Sequence, residues 1–164
     1  PQRISYNEMI KYGNTHCTGS KVIISNNDIY FDNSLRKIKK MKLIKNREIM
    51  CLTRTNVFDM VNNLNTIWKK HDKSQDAWVY CSPIRVPQQT VYIGWVRSDN
   101  LLCGLFYKLK YMLSNPTNYV HAHHYQRTWT NHTTLLAHEK TKDCIGVSFS
   151  KLHEASTCKT IWNV

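Results

Sequence analysis

Apolar residues recur along this chain in two spacings, and the change from one to the other predicts the order of its elements. The run Val22-Ile23-Ile24 is continuously apolar and β-branched, the pattern of a strand buried on both faces of a mostly parallel sheet. In "NSLRKIKKMKLI", Leu35, Ile38 and Leu43 fall near a helical period with lysines on the opposite face, and "EIMCLTR" at 48 to 54 returns to a continuous apolar run. Strand, helix and strand in that order predict a β-α-β unit with a right-handed crossover.

Ahead of this unit, Ser5 with Glu8 three residues later has capping-box spacing, which predicts a helix whose end suits Gly13. After it, residues 56 to 73 fit an amphipathic helix or a loop. "AWVYCSPIRV" at 77 to 86 and "VYIGWV" at 91 to 96 are expected strands, and "SDNLLCGLFYKLKYML" from 98 is expected to be a helix. Residues 1 to 130 form the expected α/β core, and 131 to 164, where the pattern fades, an added C-terminal extension.

At 164 residues and 41% hydrophobic composition the chain is the size of one domain and able to bury a core. Its formal charge of +12 predicts an anionic partner without choosing among nucleic acid, an acidic membrane surface and a nucleotide diphosphate. Six cysteines lie far apart with no Cys-x-x-Cys pair, so most are expected to be reduced core residues. No apolar run approaches the ~20 residues of a membrane span and no signal peptide precedes Pro1, which predicts a cytoplasmic protein. Asn131-His132-Thr133 matches a glycosylation sequon, by itself a weak signal.

In open α/β sheets, ligands collect beyond the carboxyl ends of strands, where Asn26 to Asp28, Arg54, Ser74 to Asp76 and Asp99-Asn100 are expected. A lone Asp at such a place is more often a turn or helix cap, and Asp32 is read as the cap of the helix that follows it. His121 and His123, two apart on a strand, would point to one side while Ala122 points to the other.

Taken in order, "VIISNNDIYFDNSL", "CLTR", "SQDAWVY", "IG" followed by "SDN", and "YMLSNPTNYVHAHHYQRT" resemble successive blocks of a small glycosyltransferase-like family with the GT-A fold, found in algal viruses, bacteria and plants. The resemblance covers residues 1 to 128. It implies a single α/β domain with a mixed sheet flanked by helices. It also implies a metal-dependent transfer of sugar from a nucleotide diphosphate donor, a UDP-sugar, to an acceptor hydroxyl. Asn26 and Asp28 would stand for the Asp-any-Asp arrangement that holds a divalent cation and the diphosphate, with Asn27 beside them. The strand before them would be the central one. Asp28, His121 and His123 would hold manganese or magnesium, and Arg54 and Arg127 would neutralise diphosphate oxygens. Asp99 and Asn100 would line the donor pocket. Asp76 would be the general base or a hydrogen-bonding partner of the sugar.

The family's first strand has no counterpart before Pro1, and Arg97-Ser98 stand where it commonly has Gly-Cys. Two other readings accompany this one. One is a nucleic-acid-binding module or metal-dependent nuclease, favoured by the charge and by aromatics interleaved with histidines in "HAHHYQRTW". The other is an inactive glycosyltransferase-like interaction domain.

Overall fold

Two strands carry the centre of the molecule because their side chains are apolar on both faces. In the computed structural model, which describes residues 3–41, 43, 47–57, 74–125, 143–148 and 161–163, these are β3 (Glu48–Leu52) and β5 (Ala77–Cys81). They pair antiparallel, with Cys51 opposite Trp78. On β5, Trp78 and Tyr80 face one hydrophobic layer and Ala77 and Val79 the other; on β3, Ile49 and Cys51 divide from Met50 and Leu52 in the same way. The period of two thus feeds two cores at once.

The remaining strands of this main sheet are β1 (Lys21–Ser25), antiparallel to β5, and β6 (Met112–Ser114), parallel to β3, giving the order β1-β5-β3-β6. The sheet is mixed. β1 and β3 run the same way, as the β-α-β reading requires, but β5 lies between them. The strand expected to be central is therefore an edge strand of the described sheet. Its residues are only partly buried apart from Ile24, and among the described residues no strand pairs with its outer side.

Helix α1 (Tyr6–His16) starts at the predicted capping box, with Ser5 and Glu8 exchanging side-chain and backbone hydrogen bonds. It runs past Gly13 to His16. Gly13 is there for space, since a Cβ on it would lie 2.7 Å from the Tyr80 hydroxyl. Helix α2 (Arg36–Lys40) is only five residues long and follows a 3-10 turn over Asn33–Leu35, which Asp32 caps as predicted. Helix α3 (Ser98–Lys108) packs with α1 into the core around Trp78, whereas Ile38 of α2 joins the opposite layer.

Two expected strands are shorter or absent. β5 ends at Cys81, and the next peptide, Ser82–Pro83, is cis. Within 91 to 96 only isolated bridges form, at Tyr92, which pairs with Ser5, and at Val96, because the segment turns back at Gly94, whose φ is +76°. Residues 58 to 73 and most of the C-terminal extension lie outside the described residues. Of the extension, β8 (Ile145–Val147) and β9 (Ile161–Asn163) form an antiparallel pair, and β8 docks on α3.

A second sheet, in the order β2-β7-β4, stands at one end of the first: β2 (Ile29–Phe31), β7 (Ala122–Tyr125) and β4 (Arg54–Val57). The chain passes from main sheet to second sheet three times, from β1 to β2, from β3 to β4 and from β6 to β7. Thr53 marks the second passage. Its N–H donates to the Thr117 hydroxyl (2.8 Å), and its own hydroxyl accepts from the Asn115 amide (2.9 Å), which also reaches the Val147 carbonyl (2.8 Å). The Asn-Pro motif is thus a buried clamp that fixes where Arg54 emerges. Among the described residues no helix is long and apolar enough to cross a membrane. None of the five described cysteines is in a disulfide, and Cys51, Cys103 and Cys144 are buried.

Candidate functional site

The three passages and the start of β5 meet at one edge of the main sheet. Ser25 and Leu52 both pair with Ala77, so the residues just after β1, just after β3 and just before β5 are neighbours. These are Asn26, Arg54 and Asp76.

Asp76 is the hub. Its side chain is 3% exposed, and its Oδ1 accepts from Arg54 Nη1 at 2.8 Å and from the Asn26 amide at 3.0 Å. Oδ2 has the Ser74 hydroxyl at 3.4 Å. A buried carboxylate needs such partners, since an uncompensated charge there would cost several kcal/mol. The Asn26 side-chain oxygen, Oδ1, accepts in turn from the buried Tyr6 hydroxyl. Burial, and then the charges of Asp76 and Asp99, push the Tyr6 phenol far above its ordinary range, so it stays a donor.

Asp99, in the first turn of α3, lies against this hub. Its Oδ2 accepts from the Gln75 N–H at 3.1 Å. Desolvation, and then the charge of Asp76, push its carboxyl up to about 6, against hydrogen bonds from Ser74 and the Asn100 and Gln75 backbones. Two acids in one low-dielectric place resist ionising together. Asn100 points elsewhere: it is buried and donates to the Ile145 carbonyl (3.2 Å), docking β8 on α3.

Arg54 leads into β4, where Asn56, two residues on, lies on the same face and accepts from Arg54 Nε at 3.1 Å. Across the parallel pairing, Asn56 stands opposite His124, and its Oδ1 is 3.2 Å from His124 Nδ1. His124 Nε2 is 2.9 Å from Asp28 Oδ2. The hydrogen bond from His124 holds the Asp28 carboxyl below its usual range in spite of partial burial. A continuous polar chain therefore runs Tyr6, Asn26, Asp76, Arg54, Asn56, His124, Asp28.

β7 sends its neighbouring histidines the other way. His121 Nδ1 and His123 Nε2 approach one oxygen, Oδ2 of Asp32, at 2.9 and 3.2 Å. His123 also stacks on Tyr30, its partner in the pairing, with centroids 5.0 Å apart, and its Nδ1 is buried without a hydrogen-bond partner. Burial pushes the Asp32 carboxyl up, but hydrogen bonds from Ser34, His121 and His123 outweigh it and hold it well below the usual range.

The expected metal set is accordingly divided. His121 and His123 do share a side, but the carboxylate they meet is Asp32, and among the described residues no cluster joins Asp28 to both. Asp28 meets His124 instead. Asn27 is exposed and lines a groove of about 390 Å³ with Arg3, Ile4, Met9, Ser25, Ile93 and Gly94. Arg127 lies outside the described residues. Reasoning from sequence missed Tyr6, Asn56 and the separate part of His124. The signal for Asn56 was available, because a residue two after Arg54 on a strand shares its face; that for His124 depended on the register of β7 against β2 and β4.

Comparison with models of known protein families, with curated proteins and with solved structures gives no match.

Proposed function

We propose that the chain is a glycosyltransferase that moves a sugar from a nucleotide diphosphate donor, a UDP-sugar by its motif resemblance, to an acceptor hydroxyl. The observation that carries the reading is the convergence of Asn26, Arg54 and Asp76 at one sheet edge, beside Asp28 and His124. Each comes from a different block of the resemblance, and the fold gathers them without any having been assumed to touch.

A divalent cation fits beside Asp28. Asp28 Oδ2 and His124 Nε2 are 2.9 Å apart, a separation suited to adjacent ligands of one ion. Asn26 is occupied by Tyr6 and Asp76 and acts as a positioning residue. When bound, manganese or magnesium supplies positive charge against the leaving diphosphate.

The chain's own residues do the rest. Arg54, whose side chain is 36% exposed, offers guanidinium N–H groups to diphosphate oxygens. With Asp76 Oδ1 held by Arg54 and Asn26, Oδ2 is the oxygen that takes the acceptor's proton. The acceptor oxygen bonds to the anomeric carbon, the bond from that carbon to the phosphate oxygen breaks, and its electron pair leaves on the diphosphate. The groove beside Asn27 falls within the usual range for small-molecule sites, ~300 to 1,000 Å³, and offers space for the organic part of the donor.

The test is release of UDP from a panel of UDP-sugars with manganese present. Asp76→Asn keeps donor binding and lowers turnover by about 10²-fold or more, the scale of a lost acid-base group. Turnover that is unchanged in this variant would remove Asp76 from the chemistry.

A further inference from the structure

Alternation along β7 puts Ala122 and His124 toward Arg54 and Asn56, and His121 and His123 toward Tyr30 and Asp32. The second sheet therefore carries two separate groups of metal-capable side chains, near opposite ends of β2. One belongs to the reading above. The other has no part in it.

We propose that Asp32, His121 and His123 form a second metal site, which takes a transition cation of the zinc type through one carboxylate oxygen and two imidazole nitrogens. This site stands whether or not the chain transfers sugars.

Three observations carry it. First, the donor atoms converge. Asp32 Oδ2, His121 Nδ1 and His123 Nε2 all lie within 4.8 Å of one another, with the oxygen 2.9 and 3.2 Å from the two nitrogens. Metal bonds of about 2.0 to 2.2 Å put neighbouring ligand atoms about 2.9 Å apart at right angles and about 3.4 Å apart at the tetrahedral angle. The two oxygen–nitrogen separations fall between these limits.

Second, each ligand is held from behind. The other oxygen of Asp32 accepts from the Ser34 N–H at 2.8 Å, and the Ser34 hydroxyl accepts from the His121 N–H at 2.8 Å. One serine thus ties the carboxylate to the segment that bears both histidines, His121 just before β7 and His123 within it. The Tyr30 ring fixes the plane of His123. Support of this kind orients metal ligands and tunes their affinity.

Third, the site is open on one side. Asp32 and His121 side chains are 40% and 37% exposed, whereas that of His123 is 12% exposed. Water or a further ligand has room to complete the shell.

An ordinary ion pair explains one histidine beside an aspartate. It accounts less well for two imidazoles brought onto a single oxygen by different ring nitrogens. Two imidazoles with a single carboxylate favour zinc-like ions over magnesium or calcium, which prefer oxygen-only shells.

The experiment is calorimetric titration of zinc chloride into the full chain after chelator treatment, with imidazole nitrogens followed by NMR. Zinc is expected to bind and to shift Nδ1 of His121 and Nε2 of His123. His121→Ala and Asp32→Asn, the latter keeping an oxygen for the Ser34 cap, should each weaken binding about tenfold or more. Absence of zinc binding, zinc affinity in His121→Ala equal to that of the unaltered chain, or shifts confined to other histidines would each overturn the proposal.

Discussion

Asp99 shows how much a single residue's chemistry depends on where the fold puts it. A free Asp ionises near pH 4, whereas Asp99 is pushed up to about 6 by desolvation and by Asp76. Asp76 and Tyr6 are the titratable groups that face it. The folded state therefore holds a proton that the unfolded chain has already lost between about pH 4 and 6. Over that window this group's contribution to stability falls as pH rises, the reverse of a salt-bridged carboxylate. Asp99→Asn should remove that slope, so that the variant gains on the unaltered chain by about 1 to 2 kcal/mol between pH 4.5 and 7. Denaturant unfolding at the two pH values measures it, and a difference independent of pH would mean that Asp99 ionises normally. Asp76 and Arg54 could be read from sequence as candidates because each follows or precedes an apolar run. Their mutual contact could not, because it depends on β5 lying between β1 and β3.

At the scale of elements, the capping box, the Asp32 cap and the side-sharing of His121 and His123 were legible because each is a local rule. Strand order, the partial exposure of β1 and the loss of a strand at 91 to 96 were not. They follow from long-range pairing and from a glycine turn. One departure in the motif falls where the backbone is strained. Arg97 precedes α3 with φ 68° and ψ 7°, the left-handed region, where the resembling family commonly carries glycine. A residue with a Cβ is disfavoured there by roughly 1 to 2 kcal/mol. Arg97→Gly should therefore stabilise the chain by about 0.5 to 1 kcal/mol after the added flexibility of the unfolded state is counted. Thermal unfolding decides this, and a clear loss of stability would mean that the arginine side chain's contacts outweigh the backbone strain.

For the whole molecule, two features point outward from the described core. β1 has no strand on its outer side among the described residues, and the formal charge is +12. The first leaves an edge on which a further strand can pair. The second favours anionic ligands and was plain from composition, which could not distinguish a diphosphate from nucleic acid. The proposed function takes the diphosphate because Asp76, Asp99, Arg54 and the Asp28–His124 pair gather at one end of the main sheet. Calorimetric titration of UDP into the full chain with manganese tests this most directly, repeated on Asp28→Ala. UDP should bind with manganese and lose that binding in Asp28→Ala, whose melting temperature should stay within a few degrees because Asp28 is half exposed. UDP affinity that is unaffected by manganese and by Asp28→Ala would contradict the account.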